Sequence, residues 1–230
     1  MSVTAVNFSA SSLRFWQTTV GKKAIMAVTG VILFGFVCGH LLGNLQIFEP
    51  PEKINHYAVL LRSVPALLWG ARITLLISVC LHIWSSFELW LLQREARPIK
   101  YVKKANVNST YASRTMMWSG PIILAFVIWH LLQFTFGAVH PRAPFSETNV
   151  YNNVVLGFRV WPVAVFYIIA MSMLCYHLYH GLWSMFQTLG FSHPVYTPWL
   201  KTLAKIVAIL IAVGYISIPV AVLAGFIKPV

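Results

Sequence analysis

The sequence predicts an all-α integral membrane protein with five transmembrane helices, the first four forming a bundle. Hydrophobic residues make up 58% of the chain, charged residues only 10%, and the mean hydropathy is +0.73. Soluble domains contain about 25% charged residues. With 14% aromatic residues and so little charge, the chain is also not intrinsically disordered. Its length fits a single domain spanning residues 1–230.

The five spans follow from long stretches without charge. Residues 24–48, 115–141, 160–200 and 206–227 contain no charged residue, and residues 66–92 carry charge only near the ends. About 20 apolar residues let a helix cross the bilayer. We therefore predict spans near 24–47, 66–92, 116–139, 162–187 and 203–226. The cysteines lie inside these stretches without a C-x-x-C pair, so we interpret them as buried apolar residues: Cys38, Cys80 and Cys175.

The basic residues are distributed unevenly between the two sides of the predicted bundle. The N-terminal segment, the 93–115 loop and the 188–205 loop hold eleven of the seventeen Lys and Arg residues. The opposite side holds six, with three of the five acidic residues. The positive-inside rule then predicts a cytoplasmic N-terminus for a multi-pass membrane protein. The formal charge of +12 reflects this topology, and nucleic acid is not an expected partner.

Histidines are the most informative residues, because five of the eight lie within the predicted spans. An ionisable side chain inside a membrane helix is a functional candidate, since leaving it unpaired in hydrocarbon is costly. Each of the first four spans contains at least one: His40, His82, His130, and His177 with His180. For any single histidine, a hydrogen bond to a neighbouring helix is the structural alternative.

The depth of these histidines predicts two separate sites. At about 1.5 Å per residue, His40 and His130 lie roughly 24–25 Å from the cytoplasmic ends of their spans, and His82 and His177 about 18–20 Å. We call His40 with His130 the outer pair and His82 with His177 the inner pair. Imidazoles from opposing helices can take both axial positions of a haem iron, so the pattern predicts two b-type haems. A closed zinc site would need four ligands at one depth.

Small residues accompany the predicted ligands, as a flat macrocycle between helices requires. His40 lies among glycines at four-residue spacing, and Gly181 follows His177 by one turn. Close helix packing is the alternative explanation of these glycines, which are Gly35, Gly39 and Gly43. His180 is an alternative ligand to His177. The position of Gly181 favours His177, which leaves His180 to hydrogen-bond a propionate or another polar group.

Several stretches together resemble a known family. The matching segments lie in the first, second and fourth spans. They are GKKAIMAVTG and GHLLGNL in the first span, HIWSSFELW in the second, HLYHGLWSMFQTLG in the fourth, and FSHPVY just after it. The chain is similar to the single-chain dihaem cytochrome b subunit (b558 type) of succinate dehydrogenases and fumarate reductases. The resemblance covers nearly the whole chain. It makes the outer pair ligands of a distal haem and the inner pair ligands of a proximal haem.

The resemblance also implies partners and a reaction. A flavoprotein (FAD) subunit would oxidise succinate in the tricarboxylic acid cycle, and an iron–sulfur subunit would pass the electrons to this chain. Two haems b would then carry them across the membrane to a quinone, for which menaquinone is expected. The chain itself would perform no succinate chemistry, and its catalytic role would be confined to electron transfer and quinone reduction.

The quinone site is predicted at the outer side. In two-chain, one-haem relatives, polar residues of the first helix form an inner site, but Met26 and Ala27 stand there in this chain. Four polar residues near the level of the outer pair are the candidates instead: Asn44, Glu49, Glu52 and Arg62. Quinone reduction takes up protons, so Glu49 or Glu52 is expected to assist proton transfer. Solvation of an ordinary loop is the alternative for both.

Charged residues near the cytoplasmic boundary carry weaker expectations. Glu88 in the second span is expected to reach that boundary near Arg94. Lys22, Lys23 and the 93–115 loop would face the partner or the haem propionates, or serve only to anchor the spans.

Two other classes of function stay open from the sequence alone. One is a dihaem cytochrome b subunit of another respiratory complex, of the nitrate reductase or hydrogenase type. Such subunits concentrate their histidines on fewer helices. The other is a haem-free transporter or scaffold whose histidines form hydrogen bonds or relay protons.

Overall fold

The computed structural model describes residues 14–96, 99, 109–140 and 144–230. Within these ranges the chain forms seven α-helices and two short 3-10 turns, with no strand. The helices are α1 (Thr19–Asn44), α2 (Pro51–Arg62), α3 (Pro65–Glu95), α4 (Tyr111–Phe134), α5 (Val150–Phe158), α6 (Trp161–Thr188) and α7 (Thr197–Leu223). Five of them, α1, α3, α4, α6 and α7, are long and apolar enough to cross a membrane. The predicted all-α fold with five spans is confirmed.

Local sequence signals explain where most of these helices begin and end. Proline stands in the first turn of α2, α3, α6 and α7, where its missing N–H costs no helical hydrogen bond. Gly190 ends α6 in a left-handed conformation (φ +88°), as its position predicted. The predicted third span is displaced by about five residues from α4. The Thr110 hydroxyl accepts the Ser113 N–H at the start of α4, and Gly137 (φ +67°) ends it early.

The spans pack as two groups of helices. α1 lies along α3, whereas α4 lies along α6 and α6 along α7. Only limited backbone contact joins α1 to α6 and α7. The first four spans therefore form a bundle of two antiparallel pairs, α1 with α3 and α4 with α6, and α7 supports one side of it.

Two short helices at the end of the bundle that holds the outer pair, α2 and α5, were missed by the hydropathy pattern because neither is long enough to cross a membrane. Asn55 of α2 accepts the Tyr151 N–H at the start of α5, which joins the two helices. Val155 and Phe158 of α5 pack into the largest apolar core with residues of α6 and α7. This core lies at the end of the bundle that holds the outer pair.

An ion pair joins α1 to α3 at the opposite end. The Lys22 Nζ lies 2.7 Å from the Glu88 Oε2, and Lys22 is only 7% exposed. The structure thus pairs Glu88 with Lys22 rather than with Arg94, and it buries Lys22 between α1 and α3. Because a buried ammonium needs a counter-charge, the two residues neutralise each other. The basic residues Arg97, Lys100, Lys103 and Lys104 of the 93–115 loop lie outside the described residues.

Candidate functional site

The outer pair meets between α1 and α4. The ring centroids of His40 and His130 are 5.8 Å apart and the planes are nearly perpendicular, at 84°. Aromatic rings surround them: Phe36 stacks on His40 at 5.2 Å, and the remaining rings lie within 6.3 Å of one or the other imidazole. These remaining rings belong to Phe126, Phe134, Tyr167 and Tyr215. The outer pair is thus held mainly by ring packing.

A short chain of hydrogen bonds supports His130. The Tyr167 hydroxyl lies 3.3 Å from the His130 Nδ1 and donates its proton to the Gln133 Oε1 at 3.0 Å. The same oxygen accepts the Trp129 Nε1–H, and the Gln133 side chain is fully buried. Since the Tyr167 proton is already used, its oxygen accepts a hydrogen from the His130 Nδ1.

The inner pair meets between α3 and α6. The ring centroids of His82 and His177 are 6.3 Å apart at an interplanar angle of 52°. The Thr29 hydroxyl lies 3.1 Å from the His82 Nδ1, and the Ser119 hydroxyl lies 3.4 Å from the His177 Nδ1. Hydroxyl groups rather than aromatic rings orient the imidazoles here.

These hydroxyl contacts favour one tautomer of three imidazoles. The Thr29 hydroxyl donates to the Ile25 carbonyl and the Ser119 hydroxyl to the Met116 carbonyl, so both accept from their histidine, as Tyr167 does. A histidine whose Nδ1 donates a hydrogen bond keeps a free lone pair on Nε2. His82, His130 and His177 are thereby prepared to ligate a metal through Nε2, with the other nitrogen held by a neighbouring helix.

The two levels are well separated along the bundle. Thr29, which contacts the inner pair, and His40 of the outer pair both belong to α1. These positions are eleven residues apart, which corresponds to about 16 Å of helix. The structure therefore contains two distinct histidine pairs at two depths, rather than one four-histidine cluster.

In each pair, the distance between the two imidazole rings is compatible with a metal atom bound between them. Two imidazoles that bind one metal atom from opposite sides, with bonds of about 2 Å, have centroids about 6 Å apart. Both pairs connect the α1–α3 pair to the α4–α6 pair, whereas each supporting hydroxyl comes from within its own helix pair. Three of the four histidines are thus oriented by a hydroxyl of the helix they pack on, and all four face a histidine across the bundle.

Small residues leave room beside the pairs at three of the four predicted glycines. A Cβ built on Gly35, Gly39 or Gly181 meets no atom within 4 Å. Gly43 differs, because its Cβ would lie 2.7 Å from the Tyr57 ring, so this glycine permits close packing of α1 against α2. These residues fit the expectation of a flat group between the helices, apart from Gly43.

His180 occupies a different environment from His177. Its ring lies 5.6 Å from the Trp183 ring, nearly perpendicular to it, while His177 lies beside His82. Of the two histidines of α6, the structure brings His177 to the inner pair.

The four candidate quinone residues are not brought together. Asn44 donates to the His40 carbonyl oxygen, and Arg62 donates to the Glu147 carbonyl oxygen. Glu49 is exposed in the turn before α2. Only Glu52 lines an open groove of about 610 Å³, which is bordered by Gln46, Pro50, Lys53, His56, Tyr57 and Leu60.

Sequence reasoning missed the residues that orient the imidazoles. The one available signal was depth along the helix, because each of these hydroxyl residues lies at the level of the histidine it contacts. They are Thr29, Ser119 and Tyr167. Hydroxyl residues are common in membrane helices, so depth alone does not single them out. Tyr215 of α7 was likewise missed, because the fifth span contains no histidine.

These features define a class of protein: a multi-pass helical membrane protein whose first four spans hold paired histidines at two depths. Comparison with protein families makes the assignment specific. The model of the succinate dehydrogenase/fumarate reductase transmembrane subunit matches residues 90–216, more than half of the chain. The chain belongs to this family, as the resemblance of its motifs predicted.

The matched range has a definite position in the fold. It begins near the end of α3 and ends within α7, so it includes His130 and His177 but not His40 or His82. Searches of curated proteins and of solved structures gave no match. The chain is therefore a membrane subunit of an oxidoreductase complex, and family membership implies association with the other subunits of that complex.

Proposed function

We propose that this chain anchors a succinate:quinone oxidoreductase in a bacterial cytoplasmic membrane and conducts its electrons to a quinone. The electrons would come from a flavoprotein (FAD) subunit through an iron–sulfur subunit. The observation that carries the proposal is the presence of two histidine pairs at two depths, each bridging the two helix pairs of the bundle. The N-terminus would face the cytoplasm, in line with the distribution of basic residues.

The residues of the chain have separate tasks in this scheme. His40 and His130 would hold one b-type haem, and His82 and His177 a second. Haem iron, when bound, supplies one-electron transfer between its ferrous and ferric states. The hydroxyls of Thr29, Ser119 and Tyr167 hold the Nδ1 of their histidines and so leave the Nε2 available to bind iron.

Haem content per polypeptide tests this proposal directly. The pyridine haemochrome assay on the detergent-purified native complex is expected to give two b-type haems per copy of this chain. A single haem would mean that one histidine pair is misassigned. No haem in a folded, haem-replete preparation would contradict the electron-transfer function and favour a transporter or scaffold. The family match already favours this proposal over a nitrate reductase or hydrogenase subunit.

The groove beside α2 is the proposed quinone site. It lies at the end of the bundle that holds the outer pair, and Glu52 and His56 are the acidic residue and the histidine among its lining residues. Quinone reduction requires two protons, and a carboxylate within the groove can deliver them from the aqueous side. Menaquinone is the expected substrate, and Asn44 and Arg62 would support the site only through the backbone contacts described above.

Glu52 and Glu49 form a matched pair of variants for the quinone site. Glu52→Gln is expected to lower succinate-linked quinone reduction by about 10²-fold, the usual contribution of a general acid. Reduction of a soluble dye by the succinate-oxidising subunits should be unchanged. Glu49→Gln serves as the control, because Glu49 is exposed and does not line the groove. Unchanged quinone reduction in Glu52→Gln would remove this role.

A further inference from the structure

A polar cluster lies at the cytoplasmic ends of α6 and α7, beside the inner pair. His180 and Trp183 are one turn apart on α6, and their ring centroids are 5.6 Å apart. The Lys201 Nζ, in the first turns of α7, lies 4.7 Å from the centroid of the Trp183 ring. None of these three side chains has a part in holding the imidazoles of the two pairs.

Two nitrogen atoms of this cluster lack a hydrogen-bond partner. The His180 Nδ1 and the Trp183 Nε1 are both buried, and neither is paired with any described residue. A buried donor left unpaired costs about 1–3 kcal/mol. The indole N–H can only donate, and an imidazole can donate from either nitrogen, so both atoms suit an acceptor supplied from outside the chain.

The charge of the cluster indicates which kind of acceptor. Among the described residues the only ion pair is Lys22 with Glu88, so the Lys201 ammonium has no acidic partner there. An ammonium beside two N–H donors favours an acid oxygen over a neutral carbonyl, because charge-assisted hydrogen bonds are the stronger ones. The cluster has the composition of an anion site.

The position of the cluster identifies two sources for such an oxygen. His180 follows the inner-pair residue His177 by three residues, and a Cβ on the adjacent Gly181 would meet no atom within 4 Å. A propionate of a haem held by the inner pair could reach this space. The cluster also lies in the last turns of α6, and a basic side chain near a helix end could meet an anionic phospholipid headgroup there.

We propose that His180, Trp183 and Lys201 form an anion-binding site that takes a carboxylate or phosphate oxygen. The carboxylate form, a haem propionate, rests on the function proposed above, whereas the phosphate form does not. In either form the bound oxygen accepts hydrogen bonds from His180 and Trp183 and is neutralised by Lys201.

Two variants of the whole complex test the site. Trp183→Phe removes the N–H and keeps an aromatic ring, and Lys201→Met removes the charge. Trp199→Phe and Lys205→Met are matched controls, because both residues are exposed and lie near the same end of α7. Redox titration followed by haem absorbance measures both haem potentials, and native mass spectrometry measures bound anionic phospholipid.

Each outcome has a definite meaning. A propionate ligand predicts that both test variants lower the potential of the inner haem and leave the outer haem unchanged, because a lost cation or donor favours the ferric state. A phosphate ligand predicts unchanged potentials and loss of one bound anionic phospholipid per complex. Potentials and lipid content that match the controls would overturn the site.

A further variant separates binding from folding. His180→Gln keeps a hydrogen-bond donor and is expected to retain the wild-type potential and lipid content, whereas His180→Phe is expected to behave like Trp183→Phe. Equal behaviour of the two His180 variants would contradict the site. If the wild-type complex contains no haem, the function proposed above fails, and the lipid measurement still tests the anion site.

Discussion

The outer and inner pairs each consist of two facing imidazoles, but their surroundings differ. The outer pair is enclosed by aromatic rings, one of which, Tyr215, comes from the fifth span. The inner pair is oriented by the hydroxyls of Thr29 and Ser119. Closely packed aromatic rings restrict the movement of an imidazole because they fill the space around it. A single hydroxyl fixes only the direction of the imidazole Nδ1. The inner pair therefore depends more on the register of its helices.

The α1–α3 contact shows how that register is set. Lys22 and Glu88 meet at the end of the bundle closer to the inner pair, and two turns further along α1 Thr29 meets His82. The outer pair has no such ion pair beside it; among the described residues it has the core around Val155 and Tyr167 instead. Polar contacts support the inner level of the bundle, whereas the outer level combines apolar packing with the hydrogen bond between Tyr167 and His130.

Removing a histidine of either pair should have the largest effect. His130→Ala and His82→Ala are each expected to reduce haem content from two to one per chain, and His82→Ala is expected to abolish electron flow from the succinate-oxidising subunits to quinone. Absorbance spectra of the purified complexes check both statements. His193→Ala, in the exposed turn before α7, is the control and should keep both haems. Loss of both haems from one substitution would show that the two levels are not independent.

Breaking the ion pair should have an intermediate effect, concentrated at the inner pair. Lys22→Met leaves the Glu88 carboxylate, which is 35% exposed, without its partner. We expect the complex to lose about 1–3 kcal/mol of stability, less than for a fully buried pair because water reaches Glu88. Thermal unfolding in detergent measures this loss, and the spectrum of the inner haem should change before that of the outer haem.

Lys23→Met is the control for the ion pair, because Lys23 is the adjacent basic residue and is exposed. The double variant Lys22→Met with Glu88→Gln should recover part of the lost stability, since it leaves no uncompensated charge. Additive losses in the double variant would show that the two residues do not act as a pair.

Removing single hydroxyls should have the smallest effects and should distinguish the two levels most sharply. Thr29→Val and Ser119→Ala each remove the acceptor of one inner Nδ1, and each is expected to cost about 1 kcal/mol and to alter only the inner haem spectrum. Tyr167→Phe should alter only the outer spectrum, although the ring still packs against Phe158. Low-temperature absorbance spectra would distinguish the two proposed haems. Identical spectra in all three variants would contradict the hydroxyl assignments.

Much of the fold was predictable because hydropathy is a local property. Uncharged stretches identified all five spans, and Gly190 gave the end of the fourth. The third span was displaced because the search for uncharged stretches excluded Arg114, whereas α4 includes this residue at its exposed first turn. The helices α2 and α5 were missed because they contain too few apolar residues to register as spans.

The candidate site was predictable only in part. Depth along a helix follows from counting residues, and the two levels of histidines emerged in this way. Glu88 illustrates the limit: Lys22 lies 66 residues away in sequence, so proximity along the chain suggested Arg94 instead. Among the quinone candidates, the turn into α2 separates Glu49 from Glu52, and only Glu52 lines the groove.

The sequence by itself determined that this chain enters a membrane, which segments cross it, and how deep each histidine lies. These properties depend on stretches of about 20 residues and on the fixed rise of the α-helix. The tertiary structure alone decided which helices are neighbours, which hydroxyl orients each imidazole, and where Lys22 finds its partner. The physical reason is that the rotation of a helix about its axis is set by side-chain packing against segments distant in sequence.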